Sequence, residues 1–467
     1  MKASTLLIIT FVFANLLSGQ TKLQQYPKKI STPTNFFKVE FSNVPGKINM
    51  DFNKYDTLDM GTDGAPGLKA TIYFGDDSLA IPYTNFPYTQ IIFVPVQSPN
   101  RTITYKLHFN EVWAYFPDSY IIKNEGNIQL NIPEVYELAN ILWALSPTGQ
   151  RKGDLDKTSP YYQKVVTYFK PFLGHAIFKK LDFSDSLYFD KYYDFRENSF
   201  AFDFVGDSLV ENGPYHYVMG EDRDHNSLFK QLKPLIEDFA KQTSFSVFYK
   251  ENSSYYAHEI KREEELLPVR SMWEWLENQF PVMKIQSYRI VFSPLIGGSH
   301  STQVFRTFQK KRFFTEIVMF ICGTGRYEKM LLTEKQKEGL MSGIVFTEID
   351  HNYVNPTSQR YIKAIDSTFS NRDVWTLKGG DNGNYGSAVA VFNEYMTHAV
   401  FCLWVMSRYE KSVAEFVIKN RIDLMVNKRG FIKFKEFTQQ LIKLSQKNKK
   451  AVELYPGVLE WCKTQTT

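Results

Sequence analysis

Alternating and continuous apolar stretches, separated by clusters of Pro, Gly, Asn and Asp, dominate the first part of the chain. They are FFKVEF at 36–41, ATIYFG at 70–75, QIIFVPV at 90–96 and ITYKLHF at 103–109. Side chains that alternate with a period of two predict half-buried strands, and the intervening residues are typical of turns. Short strands joined in this way predict a β-sandwich-like N-terminal module over residues 21–132.

From Pro133 onward the apolar residues recur at helical spacing. The segment PEVYELANILWAL begins with a proline suited to the first turn of a helix. A second helix is predicted within 161–181, bent or broken at Pro171. Short aromatic strands are predicted over 184–219 and mainly helices over 226–280. These elements begin a second domain that covers residues 133–467.

The C-terminal half of that domain mixes strands with long helices. Residues 284–305 resemble two strands joined through a Pro- and Gly-containing turn, and EIVMFICG at 316–323 reads as a buried strand. A long helix follows, with Thr333 as its N-cap but without the Glu expected in a full capping box, and Asn355-Pro356 is expected to end it. A later helix contains FNEYMTHA at 392–399. The pattern therefore predicts an α+β protein whose second domain is mainly helical with a small sheet.

The N-terminus has the features of a secretory signal peptide over residues 1–20. Lys2 precedes an apolar run from Leu6 to Leu17, and Ser18-Gly19 supplies small residues for cleavage. The run is shorter than the roughly 20 residues that a bilayer-spanning helix needs. We therefore expect an exported protein, periplasmic or extracellular, without stable membrane insertion once the signal is removed. An N-terminal anchor that stays attached is the alternative.

Charge and cysteine content narrow the function classes further. The 467 residues carry a formal net charge of only +5, which gives no electrostatic case for nucleic-acid binding. The three cysteines are odd in number, and Cys322 and Cys402 lie in apolar runs typical of buried, unreactive thiols. The 39 Phe, 28 Tyr and 7 Trp are spread over predicted strands and helix faces, which favours a bulky core over a ring-lined binding surface.

Two short segments carry the candidate chemistry: TEIDH at 347–351 and NEYMTH at 393–398. A zinc hydrolase of the HExxH type places two His one helical turn apart, a Glu beside the first His as general base, and a third ligand on a later helix. Glu348 and His351 occupy the positions of the base and the second His. Glu394 follows on a predicted helix, as a third ligand would. Thr347 stands where the first His is expected, and its hydroxyl is a poor zinc ligand.

Four segments together resemble a group of exported bacterial proteins with a domain of unknown function. They are PEVYELANILWALS at 133–146, FSPLIGG at 292–298, TEIDHNYVNP at 347–356 and FNEYMTHA at 392–399. The resemblance covers about two thirds of the chain. It implies a zinc-peptidase-like fold whose third ligand is a Glu, with Glu348 as general base and His351 and Glu394 as metal ligands.

His398 offers a replacement for the missing His. It lies four residues after Glu394, on the same face of the predicted helix. We hypothesise that His398 completes a His351, Glu394, His398 zinc site, at which Glu348 deprotonates a bound water that attacks a peptide carbonyl. Possible supporting residues are Thr347, Asp350, Asn355 and Tyr385, the last as a donor to an oxyanion.

Two other interpretations remain open on the same residues. Glu348, Asp350 and His351 would form a buried polar network that fixes the helix, with His351 bonded to Asn355 and no metal present. The second interpretation is a non-catalytic exported protein, in which the former cleft or the β module binds a peptide or a glycan. Among the other histidines, His300 in the turn GGSHS is the one expected near the cleft.

Overall fold

The structure is a computed structural model that describes most of the chain beyond residue 28. The described residues are 29–42, 47–51, 57–64, 69–82, 89–111, 116–181, 183, 188–212, 215, 228–281, 284–309, 312–377, 385, 387–447 and 449–466. The predicted signal peptide, residues 1–20, lies outside them.

Strands dominate up to residue 111, and helices dominate beyond it. The strands are β1 (Ile30–Thr32), β2 (Phe36–Phe41), β3 (Ile48–Asp51), β4 (Thr57–Gly64), β5 (Lys69–Phe74), β6 (Asp77–Pro82), β7 (Thr89–Pro95), β8 (Ile103–Glu111), β9 (Ile128–Asn131), β10 (Phe202–Val205), β11 (Ser208–Glu211), β12 (Ser287–Ser293), β13 (Ser301–Gln309) and β14 (Arg312–Cys322). The α+β class expected from the sequence is confirmed.

The α-helices lie almost entirely in the second part of the chain. They are α1 (Asp118–Asn124), α2 (Glu134–Leu145), α3 (Pro147–Lys152), α4 (Pro160–Phe169), α5 (Ile177–Lys180), α6 (Tyr188–Ser199), α7 (Leu228–Gln242), α8 (Phe245–Glu251), α9 (Ser253–Leu266), α10 (Val269–Gln279), α11 (Gly325–Glu328), α12 (Glu334–Ser358), α13 (Ile362–Phe369), α14 (Ala388–Arg408), α15 (Lys411–Asp423), α16 (Phe434–Ser445) and α17 (Tyr455–Thr464).

Two four-stranded sheets share the first hydrophobic core. One has the strand order β1-β7-β8-β4, and the other has the order β3-β2-β5-β6 with antiparallel neighbours throughout. Their apolar faces meet at Phe93 of β7, whose ring centroid lies 4.8 Å from that of Phe37 and 5.1 Å from that of Phe74. Alternation along β2 and β5 buries every second side chain, as the sequence pattern predicts.

A second, larger core begins at Phe116 and continues to Cys462. Helix α1 contributes Ile121 to it, and β9 pairs in parallel with β12. Residues 116–132 therefore pack with the second part of the chain, whereas the sequence pattern assigned them to the N-terminal module. The predicted boundary at Ile132 needs this correction, since β9 completes a sheet whose other strands follow residue 286.

The sheet of the second part has the order β13-β14-β12-β9, with β14, β12 and β9 parallel and β13 antiparallel to β14. Strand β12 is buried along almost its whole length, in agreement with its continuous apolar run. The long helix α12 packs against α14 and α15 and also contacts β14. This arrangement places residues 347–355 beside the sheet and opposite residues 394–398.

Two local predictions are wrong. Residues 188–199 form the helix α6 instead of an aromatic strand, because Tyr192, Phe195 and Ser199 recur at helical spacing and are buried. Helix α12 continues through Pro356 to Ser358. Thr357 and Ser358 donate side-chain hydrogen bonds to carbonyl oxygens one turn earlier, which stabilises the last turn.

Both ends of the long helix α12 are therefore held by side chains. At its start, Thr333 accepts a hydrogen bond from the backbone of Gln336, and the Gln336 side chain accepts one from Thr333. This is a complete capping box, formed with Gln in the position where the sequence analysis expected Glu. The capping box thus fixes the residue at which α12 begins.

Among the described helices, Ala388–Arg408 is long and apolar enough to cross a membrane. However, 83% of its most apolar window is buried inside the protein. Core helices of folded domains have the same composition. The three cysteines are free and buried, as expected for Cys322 and Cys402, and burial raises the pKa of all three thiols.

Candidate functional site

Glu348, the predicted general base, lies on the face of α12 that is turned toward strand β13. Its Oε2 accepts a hydrogen bond of 2.8 Å from the Thr302 hydroxyl. Burial raises the pKa of Glu348, and the nearby His351 and the Thr302 hydrogen bond oppose this effect. The side chain is partly exposed and lines a cavity that is described below.

His351 and Glu394 come together across the α12–α14 contact. His351 Nε2 lies 3.3 Å from Glu394 Oε1, while Nδ1 lies 3.3 Å from Asn355 Oδ1 and 3.4 Å from the Thr397 hydroxyl. Burial alone would lower the pKa of His351, but its hydrogen bond to Glu394 and the charges of the surrounding carboxylates raise it to about 9. This pair is therefore an imidazolium–carboxylate ion pair near neutral pH.

Arg429 is the second partner of Glu394. Its Nη2 donates to Glu394 Oε2 at 2.8 Å and also donates to the Tyr385 hydroxyl. Burial would raise the pKa of Glu394, but hydrogen bonds from His351 and His398 and the charge of Arg429 hold it well below its usual range. Glu394 is thus a buried carboxylate that protein groups already neutralise, with 6% of its side chain exposed.

His398 lies between two guanidinium groups. Its Nδ1 is 3.1 Å from Arg421 Nη1, and its Nε2 is 2.6 Å from Arg429 Nη1 and 3.3 Å from Glu394 Oε2. Burial lowers the pKa of His398 to about 3, and the two arginine charges add to this effect. The imidazole is therefore neutral, and neither nitrogen faces open space in which it would ligate a cation.

Thr347 and Asp350 do not supply the missing ligand. The Thr347 hydroxyl donates within its own helix to the carbonyl oxygens of Gly343 and Ile344, each at 3.0 Å. Asp350 is fully buried, and neither of its carboxylate oxygens has a hydrogen-bond partner in the part of the chain that the structure describes. Burial raises the pKa of Asp350 well above its usual value.

The donor set does not fit the zinc ion that the sequence motif implies. Zinc requires about three protein ligands whose lone pairs point to one open position. Here the guanidinium of Arg429 contacts both Glu394 and His398. Within the described ranges, no group of three or more His, Cys, Asp or Glu side chains is arranged to hold a metal ion. In this structure His351, Glu394 and His398 belong to a network of ion pairs and hydrogen bonds centred on Arg429, and the zinc site stays a prediction.

A cavity of about 430 Å³ adjoins this network. It lies among α12, α15 and the residues that follow α15, and Glu348, Thr347 and His398 form part of its wall. Four cationic side chains line it, against two acidic ones; the cationic residues are Arg326, Arg421, Lys428 and Arg429, and the acidic ones are Glu348 and Asp423. His300 also lines the cavity, as expected from its position in the turn.

Arg421 and Arg429 reach the site through two features of local backbone. A π-helical turn, Leu424–Lys428, directly follows α15 and precedes Arg429. Turns of this kind are often found at functional sites. On the opposing helix, a Cβ atom added at Gly343 would lie 1.8 Å from Arg421 Nη2. Only glycine at this position leaves room for the guanidinium.

Sequence reasoning missed Arg421, Arg429 and Gly343. The spacing Gly339-xxx-Gly343 just before TEIDH was a usable signal, because two glycines one turn apart on a helix allow a neighbouring helix to approach closely. No comparable signal marked the arginines, which lie on α15 and just after it, about 70 residues or more beyond the motif.

A scan against protein-family models and searches of curated proteins and solved structures found no match for the chain. The resemblance to exported proteins with a zinc-peptidase-like domain therefore stays a prediction based on the four quoted segments.

Proposed function

We propose that the protein is a non-catalytic binding protein, which holds a small organic or peptide ligand in the cavity beside α12. The position of Arg429 carries the proposal. Its guanidinium bonds the Glu that should ligate zinc, and it lies 2.6 Å from the His that should replace the missing ligand. Under this proposal, Glu394 and His398 of the hydrolase-like motif position Arg429 and Arg421, which line the binding cavity.

The proposal includes the architecture and compartment expected from the sequence. The N-terminal strands form a sandwich-like module, and the second part is a peptidase-like domain that has exchanged its metal for arginines. The apolar run after Lys2 directs the chain out of the cytoplasm, so the ligand is met in the periplasm or outside the cell. The charge balance provides no basis for nucleic acid as a partner.

A zinc-dependent peptidase is the second candidate, and one observation favours it. His351 and Glu394, predicted as ligands from separate motifs, lie 3.3 Å apart, and Glu348 is close enough to both for its pKa to respond to them. Loss of the Arg429 contacts would be needed before a metal took their place.

Metal content and peptide turnover separate the two candidates. We expect the purified protein to contain far less than one zinc ion per chain, and its thermal unfolding to be unchanged by a chelator. We also expect no cleavage of a mixed peptide library, measured by mass spectrometry, and a raised Tm with some members of that library. Stoichiometric zinc, with turnover that Glu348→Gln abolishes, would overturn the proposal in favour of the peptidase.

A further inference from the structure

Arg421 is a buried cation with almost no protein partner. Its exposed fraction is 9%, and its guanidinium carries five N–H donors. Within the described residues these donors have one hydrogen-bond acceptor, Nδ1 of the neutral His398, and one ring, that of Phe401 at 4.6 Å. No carboxylate of the described chain lies within ion-pair distance. Burial lowers the pKa of Arg421 to about 10, which still leaves the group charged at neutral pH.

Charged side chains are almost never buried without a partner, because the loss of hydration is not repaid. Arg429 follows this rule through Glu394, and Arg421 does not. Arg421 lines the 430 Å³ cavity, so a ligand in that cavity reaches the unused donors. A bound anion would supply the negative charge that the Arg421 guanidinium lacks among its described neighbours.

We propose that Arg421 anchors the carboxylate of a ligand with an apolar body in this cavity; this inference rests on the proposed binding function. The planar fork of a guanidinium matches the two oxygens of a carboxylate. Met330, Leu340, Ile344, Val417 and Leu424 supply the apolar wall. These side chains favour a carboxylate with an apolar body over inorganic phosphate, which would leave the apolar wall uncovered.

Two sources share this chemistry: the C-terminal carboxylate of an apolar peptide and a free fatty acid. Isothermal titration calorimetry on the full protein distinguishes them with three probes. These are N-acetyl-Leu-Phe with a free C-terminus, the same dipeptide as its C-terminal amide, and octanoate; inorganic phosphate serves as the anion without an apolar body. We expect the free-acid dipeptide or octanoate to bind, and the amide and phosphate to bind at least about 10-fold more weakly.

Substitution tests the anchor itself. Arg421→Met should weaken binding of the carboxylate probe roughly 10- to 100-fold, because charge-assisted hydrogen bonds are lost. Arg421→Lys should recover only part of the loss, since an ammonium lacks the planar fork. Lys419→Met is the matched control: it removes one positive charge from the same helix, is exposed and lies outside the cavity lining. It should leave affinity within about 2-fold, because exposed charges are screened.

The outcomes separate failure of this inference from failure of the proposed function. If the dipeptide amide binds as well as the acid, or Arg421→Met and Lys419→Met have equal effects, the anchor is wrong while a binding function stands. Tight binding of phosphate alone, or no binding of any probe, overturns the inference. Hydrolysis of the dipeptide amide bond overturns the proposed function itself.

Discussion

Two buried arginines in the second part of the chain have very different surroundings. Arg196 of α6 is fully buried and donates to Ser299 O at 2.7 Å, to Ser301 Oγ at 2.9 Å and to Glu197 Oε1 at 3.3 Å. Arg421 of α15 is 9% exposed and has a single acceptor, on a neutral imidazole. Burial lowers the pKa of both, but the groups around Arg196 more than restore it, and those around Arg421 do not.

The charge of Arg196 is matched by hydrogen-bond acceptors and a carboxylate of the protein, whereas that of Arg421 is not. Arg196 joins α6 to the turn before β13, and its removal would leave Glu197 buried without its cation. Removal of Arg421 would break no ion pair, because no carboxylate of the described residues lies within ion-pair distance of its guanidinium. Natural chains retain such a costly group where function needs it. The single described acceptor of Arg421 and its place in the cavity lining are the observations on which the proposed binding role rests.

The largest expected effect is the contrast between Arg196→Met and Arg421→Met. The first should lower the free energy of unfolding by about 3–5 kcal/mol, because a buried carboxylate loses its partner. The second should leave stability unchanged or raise it, because an uncompensated buried charge is replaced by an apolar side chain of similar length. Urea unfolding of both variants and of the parent protein, without added ligand, measures the difference.

The conclusion that Arg421 is not needed for stability would be wrong if Arg421→Met lost as much stability as Arg196→Met. Arg421 would then be a structural residue whose partners the described contacts do not account for. Circular dichroism of both variants in buffer is the control that each is folded before the titration begins.

Arg429→Met should have the next largest effect. Loss of the 2.8 Å ion pair leaves Glu394 with His351 as its remaining cation, so we expect about 3 kcal/mol of destabilisation at neutral pH. A carboxyl group whose pKa is lowered in the native state contributes stability at pH values above its ordinary pKa. This contribution is lost as the pH falls and the group is protonated. The gap between variant and parent should therefore narrow as the pH falls, and an unchanged gap in acid would contradict this account.

A buried acid on α2 gives a pH-dependent test. Glu137 of α2 accepts a hydrogen bond of 2.7 Å from Tyr161, and burial raises its pKa from the ordinary value of 4.5 to about 7. Between these two values the native protein holds a proton that the unfolded chain has released. The contribution of Glu137 to stability should therefore fall as the pH rises through this window, by up to about 3 kcal/mol, and change no further above it.

Glu137→Gln removes the titration and sharpens the contrast with Glu394, whose pKa is shifted in the opposite direction. The variant should show a flatter stability–pH curve between 4.5 and 7, measured by urea unfolding at several pH values. An equal slope in variant and parent would mean that Glu137 is not the group responsible.

The smallest expected effect comes from Gly343→Ala. The added methyl group would lie 1.8 Å from Arg421 Nη2, so the guanidinium must move, at a cost of about 1–2 kcal/mol. Binding of a carboxylate probe should weaken along with it. Gly174→Ala is the matched control, because nothing lies within 4 Å of its added Cβ, and its effect should stay within about 0.5 kcal/mol. If Gly343→Ala left the ligand affinity unchanged, Arg421 would not be a contact of the bound ligand.

Local patterns predicted much of this molecule because they depend on near neighbours in the chain. Alternation identified β2 and β5, a continuous apolar run identified β12 and β14, and the Thr333 cap identified the start of α12. The aromatic residues of α6 led to a wrong prediction of strands. Aromatic residues favour strands only weakly, and at helical spacing they pack on one face of α6 instead. The motif also predicted that His351 and Glu394 would meet.

Local residue patterns were enough to predict the strands, the long helices and the two segments that face each other across α12 and α14. The surroundings of those segments depend on contacts between distant parts of the chain, because Arg421 lies on α15 and Arg429 directly follows the π-helical turn after it. Electrostatic fields act through space and take no account of sequence separation. A Glu and two His that look like metal ligands become acceptors and neighbours of guanidinium groups, and the chemistry of the site follows from that placement.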